Sequence, residues 1–179
     1  MDDKLKFLHD LGEKIKEWSQ IDKACRQDIN DILDLLESDE ATQFLRRALV
    51  RAAWGLIEGS VWGLHSLINT AHHYFPDNVI KINDKNGGLS NIKLVLKLGS
   101  GLIAPEWNPD FSGSGYQSFS KSIKIRHRLM HPKSGADLEI SDEEFNDLKA
   151  GLIWFIQSIT DMQKEAVKRG KTVTIPHHR

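Results

Sequence analysis

The chain has 179 residues, of which 40% are hydrophobic and 27% charged, with a formal net charge of −1. That size and composition describe one ordinary globular domain, or one domain with a small appendage, and exclude a disordered chain. Cys25 is the single cysteine, which excludes an internal disulfide framework and a cysteine-rich zinc site and suits a reducing compartment.

The chain opens Met-Asp-Asp-Lys-Leu-Lys, without the apolar core of a signal peptide. Leu5, Leu8, Leu11, Ile15 and Trp18 recur at helical spacing, which predicts a first amphipathic helix. Ile21 to Leu36 repeats the pattern through Ile29, Ile32, Leu33 and Leu36, and predicts a second. Residues 1–40 hold 12 acidic and 6 basic side chains, so this end of the chain is strongly acidic. It is read as an acidic helical extension over 1–38, preceding a bundle over 39–169 and a polar tail over 170–179.

Ser38 and Asp39 are good N-cap residues for the third segment, Glu40 to Phe75, which as one helix would span about 54 Å. Gly55, Gly59 and Gly63 recur every four residues within it. Each glycine costs a helix up to ~1 kcal/mol, so the stripe predicts close approach by a neighbouring helix or subunit, or else a break. The most apolar stretch, 48–68, is interrupted by Arg51, Glu58 and His65 and falls short of a membrane span. The reading is therefore a cytoplasmic protein with no membrane insertion.

Pro76, Asp77, Asn86, Gly87 and Gly88 predict a long loop, and Leu89 to Leu98 a short helix ended by Gly99 and Gly101. Residues 102–115 read as loop. Tyr116 to His131 reads as a helix stopped by Pro132. Ser141-Asp-Glu-Glu144 is a capping box for the last helix, which carries Phe145, Leu148, Leu152, Phe155, Ile159 and Met162 on one face. Val173 to Ile175 reads as extended. With no strand-like alternation of useful length elsewhere and no internal repeat, the fold class expected is all-α, an up-down helical bundle with additional N-terminal helices.

Beyond residue 40 the chain holds 13 acidic and 18 basic side chains. The densest basic run is Lys121, Lys124, Arg126, Arg128 and Lys133, with no acid between Tyr116 and Ala136 and with His127 and His131 inside it. Such a run is either a solvated helix face or a phosphate-contacting patch. His131, before a proline at a helix end, has a structural reading as a partner for free carbonyls. Arg126 follows Phe119 and Ile123 at helical spacing, near the buried stripe, where it can pair with Glu58. His127 and His131 have the i, i+4 spacing of two zinc ligands, but the metalloprotease signature needs Glu at 128, where Arg stands. Glu58, His65 and His72 recur every seven residues with His73 nearby, a weaker metal reading against polar lining of a helical seam. No Walker-type loop, dinucleotide glycine motif or nucleophile elbow occurs.

Arg126-His127-Arg128-Leu-Met-His131-Pro132 resembles the R-x4-6-H motif of the HEPN superfamily, named for its nucleotide-binding members in higher eukaryotes and prokaryotes. The residue after the arginine is usually Asn, Asp or His there, and here it is His127. The motif's place at a helix end before proline, the capped last helix and the acid Glu58 inside an earlier long helix also fit. The resemblance covers residues 40–165 and leaves the first forty unmatched. It implies a HEPN-type bundle acting as a metal-independent endoribonuclease, with no cofactor and two subunits sharing one cleft. Many such domains are toxins or phage-defence effectors held by a nucleotidyltransferase-type antitoxin. A non-catalytic HEPN module that binds RNA, nucleotide or a protein partner is the alternative, and a purely structural helical dimer the third.

The residue types suit that chemistry. RNA carries its own nucleophile, the 2′-hydroxyl, so a catalyst must move protons and stabilise charge on phosphate. An imidazole such as that of His131 moves protons near neutral pH, and His127 is a second candidate. The fork of Arg126 matches phosphoryl oxygens. Lys124, Arg128 and Lys133 are candidate phosphate contacts, with Glu58 and Arg51 as structural support. On a regular helix Arg126 and His131 point about 140° apart, so either the helix end reorients His131 or a second subunit completes the site.

Overall fold

The computed structural model describes residues 3–38, 42–76 and 88–172. Among them the chain forms five α-helices and no strand: α1 (Asp3–Ser38), α2 (Gln43–Tyr74), α3 (Gly88–Ile103), α4 (Ser114–Met130) and α5 (Asp142–Thr172), with a 3-10 turn at Gly135–Leu138 before α5. The protein is all-α. No described helix is long and apolar enough to cross a membrane.

The N-terminal region is one continuous helix where two were expected, because nothing between Trp18 and Ile21 breaks the backbone ladder. Ser38 ends α1 rather than capping α2, and Asp39 lies outside the described residues. The cap of α2 is Thr42, whose hydroxyl oxygen accepts the N–H of Leu45 at 3.3 Å. That helix runs unbroken through its glycine stripe and stops at Phe75, ahead of Pro76. Asp77, Asn86 and Gly87 lie outside the described residues, and Gly88 opens α3 with φ of 68°. α3 does not end at Gly99 or Gly101 but continues to Ile103, shortly before Pro105. Gly99 serves packing instead: a Cβ there would lie 3.1 Å from a Leu64 methyl. The expected loop over 102–115 is accordingly shorter. α5 extends past Gly170 to Thr172, so the start of the expected polar tail is helical; Val173 to Ile175 lie outside the described residues.

Two antiparallel hairpins make the body. α1 packs along α2, with Trp18 and Ile21 meeting Gly63 and Gly59 and with Tyr74 donating to Asp10 at 2.7 Å. These contacts account for two of the three striped glycines; Gly55 faces open space. α4 packs along α5, where Gly151 meets the backbone of Phe119 and Gly115 meets Trp154. Leu49, Leu56, Leu64, Leu96, Phe119, Phe155 and Ile159 form the fully buried centre, and Trp18 and Ile29 of α1 join the same core. The start of α2 fastens the segment that leads into α5: Gln43 and Arg46 donate to the Ile140 carbonyl, and Arg47 to that of Leu138.

Candidate functional site

α4 carries the basic motif, and three local features place it. At its start, Asp110 Oδ1 accepts from Ser112 N, Ser112 Oγ and Gly113 N. These bonds hold the Asp110 carboxyl below its ordinary range, the Ser112 hydroxyl first among the causes. At its end, the His131 N–H still reaches the His127 carbonyl at 3.1 Å, but His131 itself has left helical geometry, with φ of −133° and ψ of 57°. Pro132 enforces that exit. Beyond it, Asp137 accepts the N–H groups of Lys133 and Ser134 at 2.7 and 2.8 Å, which closes the turn and lowers the Asp137 carboxyl pKa.

The exit from the helix decides where His131 sits. Its ring lies 5.1 Å from that of His127, centroid to centroid, and both residues are exposed. Arg126 and His127 line a cleft of about 390 Å³ together with Trp54 and Glu58 of α2, Gly88 and Ile92 of α3, and Ile123. His131 is not on its wall. Within one chain the cleft thus joins Arg126 to His127, and His131 stands next to His127 at the edge.

Glu58 Oε1 accepts from Arg126 Nη2 at 2.5 Å, and the guanidinium carbon lies 5.9 Å from the centre of the Trp54 ring. Both partners keep solvent contact, 32% for the arginine side chain and 54% for the carboxylate. An ion pair so exposed is worth about 0–1 kcal/mol. It orients the guanidinium without locking it.

Arg128, expected as a phosphate contact, is paired within the chain. Its Nη2 grips both Glu144 oxygens at 2.7 and 2.8 Å, and its Nη1 reaches the Glu139 carbonyl at 2.8 Å. Glu144 in turn accepts the N–H of Ser141 at 3.1 Å, while Ser141 Oγ accepts that of Glu144 at 3.2 Å, so the capping box and Arg128 form one clamp. Lys121 likewise pairs with Asp147 at 2.9 Å. Lys124, Lys133 and Arg51 are exposed, with no side-chain ion pair among the described residues.

No group of three or more His, Cys, Asp or Glu side chains among the described residues comes together as a metal site. Glu58 pairs with Arg126, whereas His65 and His73 line a separate cleft of about 550 Å³ beside α1. That cleft and an apolar one of the same size near Trp18 are larger than the Arg126 cleft but contain none of the motif. The Cys25 thiol is pushed up, by burial first and then by Asp28 and Asp22, so it stays protonated and unreactive.

Sequence reasoning did not single out Trp54 or Ile92, and only the meeting of α2, α3 and α4 gives them a place on the cleft wall. Comparison of the chain with family models, with curated proteins and with solved structures gives no match.

Proposed function

We propose that this protein is a metal-independent endoribonuclease of the HEPN type, working as a homodimer in a cleft to which both subunits contribute. The observation that carries the reading is the joining of Arg126 and His127 in one cleft, with the exposed ring of His131 against that of His127. One imidazole removes the proton of the 2′-hydroxyl as its oxygen attacks the adjacent phosphorus. The other donates a proton to the departing 5′-oxygen. Arg126 stabilises the charge that builds on the phosphoryl oxygens. The products are a 2′,3′-cyclic phosphate and a 5′-hydroxyl. His131 stands off the cleft wall of its own chain, which supports a role for it across a two-fold interface. A toxin or phage-defence role, with a nucleotidyltransferase-type antitoxin as partner, follows from the motif's resemblance alone.

A second reading, a non-catalytic HEPN module that binds RNA or nucleotide, is favoured by one observation: Arg126 already has an anionic partner in Glu58. Incubation of the purified protein with labelled RNA in EDTA separates the two. The enzyme reading expects cleavage with cyclic-phosphate ends, lowered about 10²–10³-fold in Arg126→Ala and about 10²–10⁴-fold in His131→Ala, with helicity unchanged. Binding without cleavage selects the module. A monomer by light scattering overturns the shared cleft.

A further inference from the structure

α3 and α4 together carry six cationic side chains, Lys93, Lys97, Lys121, Lys124, Arg126 and Arg128, and no acidic one. Neighbouring elements supply carboxylates to three of these: Glu58 to Arg126, Glu144 to Arg128 and Asp147 to Lys121. Lys93 and Lys97, on consecutive turns of α3, have no ion pair among the described residues. They are nevertheless held in place. The Lys93 ammonium lies 4.8 Å from the centre of the Phe111 ring and 5.5 Å from that of Tyr116, and the Lys97 ammonium 5.8 Å from Phe111. Phe111 is itself wedged edge-on against Tyr116 at 5.2 Å and beside Trp154 at 6.1 Å. Asp110, the acid next to it, is turned into its own loop by its bonds to Ser112 and Gly113.

A lysine in solution loses much side-chain freedom when it grips a phosphate, and a ring that already seats the ammonium reduces that loss. The seat lies on the same two helices as the cleft. Gly88 and Ile92 of α3 line the cleft beside Ile123 and His127 of α4, and the next residue, Lys93, reaches Tyr116. From Tyr116 to His127 the axis of α4 rises about 16 Å.

The geometry points to a phosphate-binding subsite at Lys93 and Lys97, seated on Phe111 and Tyr116, which holds single-stranded RNA on its way into the Arg126–His127 cleft. A flexible single strand suits a narrow cation-and-aromatic track between two helices, which offers no element to enter a duplex groove. The inference rests on the proposal that RNA is the ligand of that cleft.

The test is fluorescence polarisation of a labelled, uncleavable 2′-O-methyl single-stranded RNA across a salt series. Each phosphate contact on a single strand contributes about 0.7 to the slope of log affinity against log salt. Lys93→Gln/Lys97→Gln is expected to weaken binding and lower that slope by about 1.4, and Lys93→Arg/Lys97→Arg to keep it. Lys149→Gln removes an equivalent lysine seated 4.8 Å from the Phe145 ring on α5, away from the track, and is expected to bind as wild type. An unchanged slope in the double glutamine variant, an equal loss in Lys149→Gln, or a duplex RNA bound as tightly as the single strand would each overturn the subsite. These failures are distinct from failure of the enzyme reading, which is a wild-type protein that binds the strand but leaves ordinary RNA uncut. A wild-type protein that binds no RNA overturns both.

Discussion

The two helical hairpins differ in how closely their backbones meet. In α1–α2, side chains of one helix enter notches left by glycines of the other: Ile21 at Gly59 and Trp18 at Gly63. Tyr74 and Asp10 are paired at this seam, but Trp18 Nε1 and Asp22 Oδ1 on α1 are buried without a hydrogen-bond partner. α4–α5 has one such notch, Trp154 at Gly115, and adds a contact of helix against helix backbone, because Gly151 lies against the Cα and N of Phe119. Phe119 stacks on Phe155 at 5.7 Å, and the polar groups beside it are paired, Ser118 and Lys121 with Asp147 and Arg128 with Glu144. A side chain in a notch has somewhat more room to adjust than a backbone, although Ile21 is β-branched and stiff at χ1. The hairpin that carries the motif is the one with the closer backbone contact.

That contrast is broken most severely by Gly151→Ala. The added methyl carbon would stand 2.6 Å from Phe119 Cα, and the helices must part. A loss of about 3 kcal/mol is expected, or about 6–12 °C in the midpoint of a thermal melt followed by circular dichroism. Arg128→Ala comes next. It frees Glu144 and the Glu139 carbonyl, which is expected to cost about 2 kcal/mol and to lower the urea midpoint; a variant as stable as wild type would show that the clamp is incidental. Gly59→Ala sharpens the comparison from the other side. The obstructing atom, Ile21 Cγ2 at 2.7 Å, is the end of a side chain. The gain of up to ~1 kcal/mol in helix propensity offsets part of the cost of displacing a β-branched residue that is stiff at χ1, so a net loss of about 1 kcal/mol is expected, smaller than for Gly151→Ala.

The smallest effect is on acid stability. Lys121 is the main cause that lowers the Asp147 carboxyl below its ordinary 3.8, with burial opposing it. A depressed folded value contributes stability that is complete above 3.8 and disappears as pH falls through the lower folded value. Thermal melts of Asp147→Asn and wild type should therefore differ at neutral pH and converge in acid below 3.8.

Much of this frame was legible in the residues. Pro132 marks the end of α4 and Ser141 with Glu144 the start of α5, because both signals act within one turn of themselves. Glu58 was readable as a partner for Arg126 because each sits on a long helix beside a buried stripe. Contacts that cross a turn were not. Nothing local distinguishes Arg128, clamped to Glu144 sixteen residues on, from Lys124, left exposed. The seating of Lys93 on Phe111 likewise depends on how a loop folds back over α3. Its trace in the sequence is an absence, the lack of any acid in α3 and α4.

Glu58 gives the cleft a consequence of its own. Because its carboxylate sits on the Arg126 guanidinium, an arriving anion there competes with an internal rival, and gains only the difference between the two contacts. An isolated phosphate has little else to gain in exchange. A polymer that also touches other cations keeps those gains whether or not the exchange succeeds. If the cleft takes phosphate as proposed, a pair worth about 0–1 kcal/mol tilts that contest only slightly, toward ligands that bring several charges rather than one.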